Sequence, residues 1–339
     1  MMMKTTLIAY SNPYLGKDFF QFFMQFFRRL WAIIMGNVSS GDLVSDEVQI
    51  FVLVGISISA AVVGTFLMLR HMTMLANALS HTILLGIVFV FVVGRSRGVF
   101  SQEEHQGFNI QALLAASLVM GVVTTFLTQL LTKTMRLQED ASIGIVFTTL
   151  FALGVIFVTV LTRSAHIGIE VVMGNVDALH VDDLRLVYII AAINVVSFSL
   201  FFKEFKITTF DPGLAQVMGI SVGFFNYLLM IQVSLTAIGA FRAVGVLMVL
   251  AFITGPVLIA RLLTHSLRML LVLSCVIGSV ISVVGVALSR HLLSIHGISL
   301  STAGLVVCLI VVSYVFTIVI APRCGFLAAK VQESSNSHT

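Results

Sequence analysis

Charge is scarce in this chain. Lys, Arg, Asp and Glu together make up 10% of its 339 residues, against 58% hydrophobic residues, too little polar side chain to clothe a water-soluble globule. That is the composition of an integral membrane protein. Acidic residues are nearly missing from the long apolar blocks, which argues against a membrane-embedded enzyme. It also argues against a proton- or sodium-coupled secondary carrier, since such carriers bury a titratable carboxylate. The chain has no phosphate-cradling glycine loop ending in Lys and Ser/Thr, and no HExxH. Cysteine is scarce too: Cys275, Cys308 and Cys324 have no paired spacing and read as small packing residues rather than a disulfide or metal cluster. The net charge of +4 is spread over block ends rather than gathered in a patch, which argues against nucleic acid as a partner.

What the chain does have is apolar blocks of bilayer length. They recur at approximately 50–69, 75–94, 110–132, 142–162, 185–202, 223–241, 243–262, 268–289 and 300–321. The blocks are continuous rather than alternating, so helices and not barrel strands must satisfy the backbone. The expected fold is all-α, a polytopic bundle of about eight to nine spanning helices. Arg70, Lys133 and Arg136, Lys203 and Lys206, Arg261 and Arg268, and Arg323 with Lys330 fall on alternate loops, marking those loops and the C-terminus as cytoplasmic. Residues 1–48 differ in character. Their FFQFFMQFFRRLWAIIMG run is aromatic enough to enter lipid, but Arg28 and Arg29 interrupt it, so it reads as an interfacial amphipathic helix rather than a span or a secretory signal. The expected division is this N-terminal segment, a transmembrane domain over 49–322, and a cytoplasmic tail over 323–339.

Two polar features stand out. LRHMTMLANALSHTILLG, from Leu69 to Gly86, places Asn77 and His81 one helical turn apart inside a greasy segment. An imidazole in hydrocarbon must be tied to a neighbouring helix or face a polar cavity, and on the residues alone both readings stay open. The loop TTFDPGLAQVMGIS spells a short cytoplasmic helix: Asp211 suits its cap, Pro212 its first position and Gly219 the residue past its end. Too brief to stand alone in water, it packs on the protein's own face or in a partner's groove. Asn194, Gln111 and Gln232 read as polar glue between helices. His291, His296 and His180 with Asp182 and Asp183 lie on turns where solvation competes with a metal-gathering role. Gly239, Gly245 and Gly255 with Pro256 are candidate helix breaks. Gly278, Ser282 and Gly285, like Ala60 and Gly64, have the spacing of close helix packing.

These segments, with EDASIGIVFTTLFALG, MGNVDALHVDDL and AVGVLMVLAFITGPVLIAR, resemble in order and interval the bacterial ABC-type permeases for manganese, zinc and iron. The resemblance runs from about Val63 to Pro322. It implies a permease subunit importing a divalent metal ion, multi-pass in the inner membrane and without catalytic residues or a cofactor of its own. It further implies a cytoplasmic ATPase subunit that carries the ATP, a second permease, identical or homologous, and an extracytoplasmic metal-binding lipoprotein. The segment from Ala215 to Gly219, opened by Asp211 and Pro212, resembles the coupling helix that seats in the ATPase. The family commonly carries an Asp and a His four apart as pore ligands. Here His81 matches, and Asn77 stands where the Asp would be, offering a neutral oxygen dipole in place of a charge.

Overall fold

The computed structural model describes residues 13–14, 18–35, 43–74, 78, 82, 85–86, 88–89, 110–162, 176–179, 181–298 and 300–336. Its elements are α1 (Phe19–Ile34), α2 (Ser45–Leu69), α3 (Ile110–Thr134), α4 (Glu139–Thr162), α5 (Val181–Leu200), α6 (Phe202–Phe210), α7 (Pro212–Val217), α8 (Val222–Val244), α9 (Val246–Leu263), α10 (Leu267–His296) and α11 (Thr302–Asn336). A single 3₁₀ turn, Val176–Ala178, precedes α5, and no strand occurs among the described residues. Among the described residues, five helices are long and apolar enough to cross a membrane: α2, α5, α8, α10 and α11. Shorter apolar stretches lie in α3, α4 and α9. The expected block at 75–94 falls largely outside the described residues.

α2 is the axis of the bundle. It is apolar on every side, which suits a helix enclosed by others rather than one with a lipid face, and it packs against α5, α8, α9 and α10. Small residues let those helices close in. A Cβ at Gly64 would meet the carbonyl of Ile253 on α9, and one at Gly278 on α10 would meet Ser57 on α2. Gly239 abuts Ile190, Gly255 abuts Ile310 and Gly285 abuts Val306, so these positions serve close approach. The break between α8 and α9 falls on Gly245, at φ 79° and ψ 166°, a conformation open essentially to glycine alone. Pro256 is accommodated inside α9 without ending it. α11 runs beyond its apolar block as far as Asn336, so helix continues into the region expected to be tail.

The N-terminal end of α2 is charged yet enclosed. Asp46 and Glu47 lie in its first turn, where the helix dipole favours carboxylates, and both are buried. Arg290 of α10 donates to Asp46 from Nε at 2.9 Å and from Nη2. Arg29 of α1 pairs with Glu47, whose carboxylate also accepts from Tyr14 Oη at 2.7 Å and from the Val44 amide at 3.1 Å. Burial, then the hydrogen bond to Glu47, push the Tyr14 phenol well above its ordinary range. α1 is held to the bundle by buried Phe22 and Phe26, the latter 6.3 Å from the Phe51 ring.

Candidate coupling face and metal path

The best-defined site lies at the opposite end of the bundle, where α6, α7 and α8 follow one another. Asp211 ends α6 and caps α7, its side chain accepting from the Leu214 amide at 2.9 Å, with Pro212 at the first helical position. Gly219 sits at φ +77°. Its amide returns to the Gln216 carbonyl at 3.0 Å and the Ile220 amide to the Ala215 carbonyl at 2.8 Å, the paired bonds of a glycine-terminated helix. Ser221 then starts α8, accepting from the Phe224 amide at 3.4 Å. The six residues of α7 are thus fixed at both ends by local chemistry.

Only Ala215 of α7 is buried. Leu214 and Met218 are exposed and Val217 is 87% exposed, an apolar knob facing away from the chain's own core. Behind it the anchoring is dense. Phe66, Phe198, Phe205 and Phe225 pack with centroids 4.6–5.4 Å apart, joining α6 to α2, α5 and α8. Arg70, at the end of α2, donates from Nε to Thr209 at 3.0 Å, from Nη2 to Thr208 at 2.9 Å, and from Nη1 to Asn226. Neither the aromatic cluster nor Arg70 was singled out from sequence, where Arg70 signalled only a cytoplasmic loop.

The expected pore pair, Asn77 and His81, lies outside the described residues. Among the described residues no three His, Cys, Asp or Glu side chains gather closely enough to hold a metal ion. Polar seams do cross the bundle. Asn194 of α5 donates to Ser59 of α2 and to Thr236 of α8, both at 2.6 Å, and Gln232 of α8 donates to Ser197 of α5 at 2.5 Å. Both amides thus join helices, as expected; the Gln111 side chain is outside the described residues. His291 is half-buried, its ring 6.2 Å from that of Phe19, and so is not a freely solvated turn residue. His180 and the side chains of Asp182 and His296 are outside the described residues. The nearby acidic turn is anchored through Asp177, which accepts from Thr302 Oγ1 at 2.6 Å. The buried pairs of Asp46 and Glu47 were missed from sequence; their one signal was the position of two acids at a helix start.

Known proteins resemble this chain in sequence and in overall fold. A "probable metal transport system membrane protein" of Chlamydia trachomatis is 39% identical, over 92% of this chain and 95% of that one. The "manganese transport system membrane protein MntD" of Bacillus subtilis is 36% identical, over 83% and 93%. Among solved structures, PsaBC from Streptococcus pneumoniae in complex with Fab superposes with a TM-score of 0.68 at 25% identity, covering 83% of this chain and 94% of that one. Residues 47–321 match the ABC 3 transport family, and this chain belongs to it.

Proposed function

We propose that this chain is the membrane permease subunit of an ATP-driven importer of a divalent transition metal, with manganese the cargo its relatives' names favour. The observation that carries the reading is the 211–219 segment, capped at both ends and presenting Leu214, Val217 and Met218 outward. A helix of that length gains its stability from what it packs on, and an exposed apolar knob fits a groove on a cytoplasmic ATPase subunit. Asp211, Pro212, Ala215 and Gly219 shape the knob; ATP is bound and hydrolysed on the partner. Residues 49–322 are the permease proper, paired in the bacterial inner membrane with a second permease, identical or homologous. An extracytoplasmic lipoprotein delivers the ion to the other end.

His81 and Asn77 line the path. An imidazole nitrogen and a neutral amide oxygen hold a divalent cation more loosely than a carboxylate does, which suits a site that must also release its ion. ATPase closure moves the 211–219 segment and opens the path inward, an alternating-access cycle driven from outside the chain. Ion-coupled secondary transport is less well supported. Asp46 and Glu47, the most deeply buried carboxylates among the described residues, sit at the end of a span and each meets an arginine. The test is elemental analysis of metal-starved cells expressing the complete transporter, with this chain or its His81→Ala variant. The expected result is manganese accumulation that the variant abolishes while still reaching the membrane. Normal accumulation by the variant would remove His81 from the path, and no accumulation by either chain would remove the transport reading.

A further inference from the structure

We propose that Arg70 is a positioning residue that locks the coupling segment to the root of the metal path, an inference that rests on the transport reading and deepens it. Arg70 ends α2, the most enclosed of the five candidate spans among the described residues. Its guanidinium reaches both arms that hold α7: Thr208 and Thr209 in the last turn of α6, and Asn226 near the start of α8. A planar, permanently charged fork with donors in fixed directions can hold three acceptors on two helices at once; the single ammonium of Lys cannot. The Phe66, Phe198, Phe205 and Phe225 cluster prevents α6 from sliding on α2 while the fork fixes its rotation. On the other side of Arg70 the chain leaves α2 in a set direction. His71 takes φ +60°, and the amides of His71 and Met72 return to the carbonyls of Met68 and Leu67 at 3.1 and 2.9 Å. Asn77 follows seven residues after Arg70. A push on Val217 therefore reaches α2 and the turn at His71 and Met72 that follows it, instead of being absorbed in the turns on either side of α7.

The experiment reconstitutes the complete transporter with Arg70→Lys, with Thr208→Val/Asn226→Leu, and with Lys206→Gln as a control on an exposed position of α6. Three quantities are read: co-purification of the ATPase, ATP hydrolysis, and manganese taken up per ATP. The expected result is an assembled, hydrolysing complex whose uptake per ATP falls about tenfold in both bracket variants, within the usual range of a coupling free energy, with the control unchanged. Unchanged uptake per ATP in Arg70→Lys overturns the proposal. If Arg70→Lys does not assemble, the double variant, which keeps the arginine, decides by the same ratio. A wild-type complex that moves no metal sinks the transport reading instead. The bracket is then judged by the distance distribution between nitroxide labels at Val217→Cys and Leu263→Cys, with the native cysteines replaced. Broadening in Arg70→Lys supports it, and an unchanged distribution overturns it.

A separate set of residues carries a second inference: we infer that the outward face of α1 lies against lipid at the bilayer surface, at the end of the bundle opposite α7. α1 precedes the residues matched by the family. Phe19 meets His291, and Arg29 meets Glu47, while the neighbours of those two partners, Arg290 and Asp46, pair with each other. Ten residues of helix, about 15 Å, thus begin and end at one level, so α1 runs across the ends of α2 and α10 rather than along them. Its surface divides into three sectors. Phe19, Phe22, Phe23, Phe26 and Leu30 pack on the bundle. Gln21, Gln25 and Arg28 form a polar strip. Between the two run Phe20, Met24, Phe27 and Trp31, exposed by 84, 75, 61 and 62% and spaced to share one face. Protein, water and a third apolar medium meet a helix in this way at the membrane surface, where tryptophan concentrates. Trp31 is the chain's one tryptophan, so the unmodified protein reports on itself. In phosphatidylcholine vesicles, brominated acyl chains are expected to quench most of its emission and aqueous acrylamide little. Quenching by acrylamide but not by bromine would place the face in water; quenching by neither would place it under protein. Either result overturns the inference.

Discussion

Asn194 joins three helices through one amide. Buried between α2, α5 and α8, it donates to Ser59 and Thr236, and the Thr236 hydroxyl donates in turn to the Gln232 carbonyl at 2.8 Å. Its own side-chain amide oxygen accepts no hydrogen bond among the described residues. Asn194→Ala loses both donors and opens a cavity, and is expected to lower stability by about 1–3 kcal/mol. Asn194→Leu fills nearly the same volume and removes the unsatisfied carbonyl, so it should lose less. Unfolding of the purified variants in SDS, followed by circular dichroism, gives the order. An alanine variant that unfolds with wild type would show that packing alone holds this junction. Gln232 makes the parallel contact to Ser197, and both amides are legible in sequence as polar residues at bilayer depth, whereas their partners are not.

α7 shows how much a single backbone position can decide at the scale of an element. At Gly219 a Cβ would stand in open space, so crowding is not what selects glycine there; the positive φ is. That conformation costs an ordinary L-residue about 1–2 kcal/mol, more when it is β-branched, and asparagine least. Gly219→Val is therefore expected to distort the end of α7 and uncouple ATP hydrolysis from uptake while membrane insertion persists. Gly219→Asn should retain most uptake. Measured side by side in the reconstituted complex, equal uptake by the two variants would detach the segment from coupling. Asp211, Pro212 and Gly219 were readable in sequence because caps are local: each acts on backbone groups within four residues of itself. Arg70 was not readable, because its acceptors lie 138, 139 and 156 residues away.

Across the whole molecule, the enclosed helix α2 carries charge pairs at one end and the Arg70 bracket at the other, while α11 and much of α5 leave apolar side chains outward. The two ends are built differently. Arginines bind buried carboxylates where α1 crosses the bundle, and one arginine binds neutral hydroxyl and amide oxygens where α7 protrudes. Membrane class, helical fold, approximate helix positions and the capped 211–219 segment followed from the sequence alone. Composition and capping are settled by each residue's dealings with lipid, water and its nearest backbone, and these need no knowledge of the fold. Which apolar helix takes the centre, that Asp46 and Glu47 are enclosed rather than solvated, and that Arg70 joins α2, α6 and α8 were decided only by tertiary structure. Nearly every span is hydrophobic enough to be buried, so pattern cannot choose among them. The choice falls to the close fit of Gly64 on Ile253 and of Gly278 on Ser57, and to pairings between residues hundreds of positions apart.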